Sequence, residues 1–216
     1  MNSSEWCKLA YWELSERVGP LFPVEPPAVN VFGDVPHPDG LNLETLAQHS
    51  FSPPESSVQK TRCKIGLGVT LSREGDRIWV YNRSDHPVFV NSPTLHDCPT
   101  PTRLPPDHCL CVFDRLEACR LTSHAHTQAG PVDPNSLRIS FAKGWGPNYS
   151  RREITSCPCW LEILLAPCRY PCRLTSHAPT QACPVDPYSL RISFAKRLGP
   201  NYSRRDWREI TSCACG

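Results

Sequence analysis

Apolar and polar positions alternate in short runs along much of this chain. Between 137 and 141, Leu137, Ile139 and Phe141 alternate with Arg138 and Ser140, and Leu161, Ile163 and Leu165 repeat that spacing. Successive strand side chains point to opposite faces, so each run places three apolar side chains on one face of a strand. Comparable strand-like runs, bounded by turn residues, cover 7–14, 28–32, 68–72, 78–82, 88–91, 109–113 and 159–165. Many short strands with regular turn signals predict a mainly β protein, an antiparallel β-sandwich. One helix is expected among them. Ser56-x-x-Gln59 has the form of a capping box, 60–65 follows, and Gly66 stands where a left-handed C-terminal cap would. Segments 20–27, 36–40, 52–55 and 99–106 read as loops, because Pro cannot serve a central ladder.

A long internal repeat overlies this pattern. Residues 119–152 recur as 172–205, and both copies rejoin at EITSC after three inserted residues, Asp206, Trp207 and Arg208, in the second. A solenoid needs about three units or more and keeps its core positions while its loops drift. Here loop and core residues match alike. The second copy alone is damaged: Gly144-Trp145 becomes Arg197-Leu198, and the CWLEILL run is replaced by Ala214-Cys215-Gly216. The expected organisation is one binding domain over 1–167 and a degenerate duplicate over 168–216 that does not fold independently. Leu190, Ile192 and Phe194 of the duplicate find no strand slot in a completed sandwich, so that tail is expected to be loosely attached.

Composition narrows the picture less. The chain has 216 residues, enough for one sandwich with a real core, and its 24 prolines disfavour long helices. A formal net charge of +2 steers the whole molecule towards neither nucleic acid nor membrane, so any basic site is local. No window approaches the roughly 20 apolar residues of a membrane-spanning helix, and residues 1–5 lack a secretory profile, which suggests a soluble intracellular chain. The 13 cysteines are odd in number and irregular in spacing, so reduced thiols are expected.

The sharpest local feature is the run from Ser140 to Arg152, where a strand leads directly into Lys143, Gly144, Trp145, Gly146 and Pro147. Two glycines permit a tight loop that can hold Trp145 out, with Lys143, Arg151 and Arg152 around it, the composition of a binding hot spot. The plainer alternative folds Trp145 back on the core beneath a solvated basic loop. On the helix, Lys60 and Lys64 lie one turn apart and share a face, while Arg62 points elsewhere. An ordinary solvated surface is the plainer reading there too.

Four blocks together resemble the C-terminal Mad-homology domain of the inhibitory Smads: WCKLAYWELSERVG at 6–19, KIGLGVTLSRE at 64–74, VYNRSDHPVFVNSPTL at 80–95 and ISFAKGWGPNYSRREITSCPCWLEILL at 139–165. The resemblance implies a Smad/FHA-type sandwich with short helices. It also implies an intracellular adaptor, in cytoplasm and nucleus, that docks on activated type I receptor serine/threonine kinases of the TGF-β and BMP pathways or on other Smads, and so dampens Smad-dependent transcription. Transcriptional co-regulators are further implied partners. The same resemblance assigns receptor contact to Lys143, Gly144, Trp145, Gly146, Tyr149, Arg151 and Arg152, and a second contact to Lys60, Arg62 and Lys64. Receptor-regulated Smads end in Ser-Ser-x-Ser, whereas this chain ends Thr211-Ser212-Cys213-Ala214-Cys215-Gly216, which favours the inhibitory branch. It shows no N-terminal Mad-homology region and no Pro-Pro-x-Tyr ligand, so neither direct DNA binding nor ligase recruitment through that ligand is expected.

Three rival readings carry less. The pairs His96-x-Cys98, His108-Cys109-x-Cys111, Cys157-x-Cys159 and Cys168-x-x-x-Cys172 are too close and irregular for structural zinc, so no metal or other cofactor is expected. No nucleophile elbow, phosphate-cradling glycine loop or His-Glu-x-x-His run is present, Asp85-His86 reads as a turn pair, and no enzyme activity is expected. A broken paralogue without function is the remaining alternative.

Overall fold

A computed structural model describes residues 5–34, 39–48, 53–95, 100–124 and 136–167. In chain order its strands are β1 (Cys7–Glu13), β2 (Glu16–Val24), β3 (Ala28–Phe32), β4 (Leu41–Asn42), β5 (Val69–Glu74), β6 (Arg77–Asn82), β7 (Val88–Asn91), β8 (Thr102–Leu104), β9 (Cys109–Asp114), β10 (Ser136–Phe141) and β11 (Trp160–Leu165). Helices α1 (Leu43–Ala47) and α2 (Ser56–Ile65) precede β5, and α3 (Arg115–His124) follows β9. A six-stranded antiparallel sheet runs β2-β1-β11-β10-β7-β8. A five-stranded sheet runs β4-β3-β5-β6-β9, antiparallel except for the β3–β4 pair.

The alternation explains how the two sheets face each other. On the first sheet Leu9, Ile163 and Leu137 stand in one cross-strand row, and Tyr11, Leu161, Ile139 and Val90 in the next. Val29, Leu71 and Val80 line up across the second. All are buried in one core, so the sandwich predicted from periodicity is the sandwich found. Its inner rows are almost wholly apolar side chains, whose burial is the main favourable term in folding.

Several elements depart from expectation. Residues 16–24 form a strand despite Pro20 and Pro23, and 102–104 form another within the expected proline-rich loop. Both lie at the outer edges of the six-stranded sheet, where a missing N–H costs no ladder bond. Ser56 does not cap α2: the helix begins at Ser56, Glu55 is the extended residue before it, and the Gln59 amide donates instead to the Pro54 carbonyl at 3.2 Å. A capping serine has to be the non-helical residue, and here it lies one position too late. Gly66 does end the helix at a positive φ of 52°, but its ψ of −124° is not the left-handed cap expected. The helix α3 carries no strong apolar stripe and was not foreseen; it overlaps the start of the repeat. Cys7, Cys63, Cys109, Cys111, Cys157 and Cys159 are free thiols, but Cys119 is disulfide-bonded, which departs from the fully reduced expectation. The duplicate over 168–216, with Leu190, Ile192 and Phe194, lies outside the described residues.

Candidate functional site

A second row of side chains points away from the core. Trp12, Trp160, Ser140 and Phe89 are consecutive cross-strand partners over β1, β11, β10 and β7, on the outer face of the six-stranded sheet. Three aromatic rings facing water would be costly, and residues 142–158 fold back over them. The Trp12 and Trp160 rings stack at 5.1 Å and 8°, and the Trp160 indole donates to the Leu14 carbonyl at 2.8 Å. Phe89, Trp145, Ile154, Cys157 and Trp160 form a second buried cluster, with Trp12 and Tyr149 packed against it.

Trp145 is therefore turned inward, 6% exposed, and is not held out on the loop tip as the glycine pattern suggested. The aromatic row beneath offers it more apolar contact than solvent does. Both glycines serve this packing. A Cβ on Gly144 would lie 2.4 Å from Cε1 of Tyr149, so only glycine lets that ring close over the loop and meet Phe89 edge-on at 5.6 Å. Gly146 has φ 99°, which glycine alone adopts without strain. Its N–H donates to the Arg151 carbonyl at 2.8 Å, and the Tyr149 N–H donates to the Gly146 carbonyl at 3.1 Å, fixing a tight turn. Cys157 closes the loop from below; burial pushes its thiol up, away from a reactive thiolate.

What the loop leaves outside is charge. Arg152 is exposed, and Lys143, Tyr149 and Arg151 are half-buried. Arg151 is held by its Nε, which donates to the Ser156 carbonyl at 3.1 Å.

Helix α2 buries Val58, Thr61 and Ile65 and keeps Lys60 exposed and Lys64 half-exposed. Arg62 takes a different path. Its Nε and Nη2 donate to the two oxygens of Glu13 at 2.7 and 2.8 Å, and the Tyr11 hydroxyl donates to Glu13 Oε1 at 2.8 Å. The hydrogen bond to Glu13 raises the already high pKa of Arg62 further. A fork-to-fork pair so well shielded is a clamp between α2 and β1. The Cys159 thiol adds a contact to the Val58 carbonyl at 3.8 Å. The helix is thus fastened to the strand ends where the loop returns. A cleft of about 410 Å³ beside it is lined by Asp34, Glu44, Gln59, Arg62, Cys63 and Gly66.

Ten residues were named from the sequence, and the fold sorts them. Lys143, Arg151, Arg152, Lys60 and Lys64 present positive charge; Gly144, Trp145, Gly146 and Tyr149 shape the loop; Arg62 ties the helix down. The sequence reading missed Glu13, Trp12, Phe89 and Trp160. Trp12 and Trp160 had a readable signal, since both stand out of phase with the core-facing Leu9 and Tyr11 of β1 and Leu161, Ile163 and Leu165 of β11. Glu13 had none, because its partner is 49 residues away.

The other candidates resolve more plainly. Asp85 and His86 lie in the turn between β6 and β7, where the His86 carbonyl accepts from Asn82 and Ser84. Among the described residues no group of three His, Cys, Asp or Glu side chains is placed to hold a metal ion; His96, Cys98, Cys168 and Cys172 lie outside them. Among the same residues no helix is long and apolar enough to cross a membrane.

Residues 4–166 match the MH2 domain family. The chain is 50% identical over 172 residues to "Mothers against decapentaplegic homolog 6" of Gallus gallus, covering 77% of this chain and 39% of that protein. It is 42% identical over 170 residues to "Mothers against decapentaplegic homolog 7" of Homo sapiens, covering 76% and 39%. Dwarfin sma-3 of Caenorhabditis elegans is 33% identical over 180 residues, covering 76% and 44%. The chain thus spans about two-fifths of the length of the curated relatives it matches. Among solved structures, the IAD domain of interferon regulatory factor 9 shares the fold, with a TM-score of 0.53 at 16% identity, covering 76% of this chain and 85% of that one.

Proposed function

The chain belongs to the MH2 domain family of Smad signalling proteins, and from that premise we propose that it is a non-enzymatic adaptor of the inhibitory kind. In this reading it binds activated type I receptor kinases of the TGF-β and BMP pathways, or other Smads, and dampens the signal by occupying their docking groups. Its binding unit is residues 1–167, and the duplicate over 168–216 adds nothing to it.

One observation carries the reading. Lys143, Arg151 and Arg152 project from a loop whose other face is nailed to an aromatic row, and Lys60 and Lys64 project from a helix clamped beside it. Activated receptors carry phosphorylated serines. A phosphate dianion is held well by Arg forks and Lys ammonium groups, and best when the frame is already rigid. The same groups would take the phosphorylated Ser-Ser-x-Ser tail of a receptor-regulated Smad. Trp145 then acts as the peg that positions the loop, with the cations making the contact.

The test is the affinity of the full chain for a type I receptor kinase domain in its phosphorylated and dephosphorylated forms. Tighter binding to the phosphorylated form by at least about tenfold, equal to about 1.4 kcal/mol and weakening as salt rises, is expected. Equal affinity for the two forms would refute phosphate recognition. No binding to either by a folded chain would leave the broken-paralogue reading.

A further inference from the structure

We propose that Thr155 is a phosphorylation site for an arginine-directed serine/threonine kinase, and that the phosphate placed there closes the basic loop to its phosphorylated partner. The second half rests on the function proposed above; the first does not.

Thr155 is exposed at the centre of the 3-10 turn Ile154–Ser156. Its hydroxyl is spent only on a long contact, donating to Glu153 Oε2 at 3.4 Å. Arg152 stands three residues before it and is itself exposed. A cation at that spacing ahead of an accessible hydroxyl is what an acidic kinase groove recognises. Two backbone bonds hold the turn, Ser156 N–H to the Glu153 carbonyl at 3.1 Å and Cys157 N–H to the Ile154 carbonyl at 2.7 Å. A kinase that reads an extended segment has to open this turn and lift Ile154 out of the aromatic cluster, at the cost of that side chain's burial.

The consequence follows from where Arg151 lies. Its guanidinium already crosses the turn to the carbonyl of Ser156, the residue after Thr155. A phosphate on Thr155 carries about −1.5 to −2 charges near neutral pH, with Arg151 bonded to the adjacent residue's carbonyl and Arg152 three residues before it as its candidate partners. It would hold them by the same charge-assisted bonds that an incoming phosphoserine needs. The chemistry is an ordinary phosphoryl transfer with ATP as co-reactant. A bond forms between Oγ1 of Thr155 and the γ-phosphorus as the bond from that phosphorus to the β–γ bridging oxygen breaks. The hydroxyl proton passes to a carboxylate of the kinase, and ADP leaves.

The experiment treats the full chain with ATP and the catalytic domain of a calmodulin-dependent protein kinase. Variants Thr155→Ala and a triple Ser123→Ala, Ser176→Ala, Thr211→Ala run alongside, because Arg120 and Ser123, Arg173 and Ser176, and Arg208 and Thr211 repeat the spacing. Mass spectrometry should find phosphate on Thr155 in the parent and the triple variant. Phosphorus NMR of the triple variant should show the second pKa of that phosphate below its usual value of about 6, from the two arginines. The phosphorylated triple variant should bind phosphorylated receptor kinase at least tenfold more weakly than its unmodified form. No phosphate on Thr155, or phosphate on Thr155 with an ordinary second pKa and unchanged binding, would overturn the proposal. Should the unmodified chain fail to bind receptor, the loop's function falls, while the mass and phosphorus measurements still decide the site.

Discussion

Gly144 has no room for a methyl group. Cβ would sit 2.4 to 2.8 Å from three atoms of the Tyr149 ring, so Gly144→Ala forces that ring off Phe89 and loosens the loop. A loss of about 1–3 kcal/mol in urea unfolding is expected, the usual range for overpacking; an unchanged midpoint would show that the ring yields freely. Glu13 is the other residue on which much depends. It is 8% exposed, and it binds Arg62 through both oxygens and Tyr11 through one. Glu13→Ala strands the guanidinium without its partner and should cost about 3–5 kcal/mol, while Arg62→Met with Glu13→Leu should recover much of that. At this scale the sequence was half legible. The Lys-Gly-Trp-Gly run announced a special loop, but a run of residues does not say which way its Trp turns. That depends on Trp12 and Phe89, which arrive from strands far away in the chain. Arg62 was recognisable as the odd member of the helix by its spacing, and its partner was not.

Strands were the easiest elements to read, because alternation is a local signal. Cys7–Glu13, Ala28–Phe32, Val88–Asn91 and Ser136–Phe141 fall within a residue or two of where the pattern puts them. The edge strands β2 and β8 of the six-stranded sheet were lost, since Pro20 and Pro23 forbid only a central position and edge or centre is decided by neighbours; β9, an edge strand without proline, was read. The helix α2 was found, but with its start misread, because a capping box is defined by geometry that Ser56 does not adopt. The start of β11 yields a prediction about pH. Burial pushes the Cys159 thiol up from 9.0 to about 12, and burial likewise raises Cys7. A group whose pKa is higher in the folded state stabilises fully below its unfolded value and loses that contribution as pH rises towards the folded one. Stability should therefore fall between about pH 9 and pH 12, and fall less in a Cys159→Ala variant. In the same spirit, a thiol reagent at neutral pH should label exposed Cys63 well before Cys7, Cys157 or Cys159. Equal labelling of buried and exposed thiols in native protein would contradict the described packing.

For the whole molecule, four separated blocks gave the family from sequence, and the match over residues 4–166 bears that out. What the sequence could not supply is how two distant basic segments share one end of the sandwich. The β1–β11 pairing does this, bringing residues 7–13 beside 160–165 so that the Glu13 clamp and the loop's return lie on neighbouring strands. The central claim is that loop cations, held by a buried aromatic frame, recognise phosphate on a partner. It is tested most directly by the affinity of the full chain for a phosphorylated type I receptor kinase domain, with Lys143, Arg151 and Arg152 changed together to Gln. Affinity should fall by at least about tenfold, roughly 1.4 kcal/mol, with only a small drop in the urea midpoint from the lost Arg151 bond to the Ser156 carbonyl. Undiminished affinity in that variant would contradict the claim and move recognition elsewhere on the molecule.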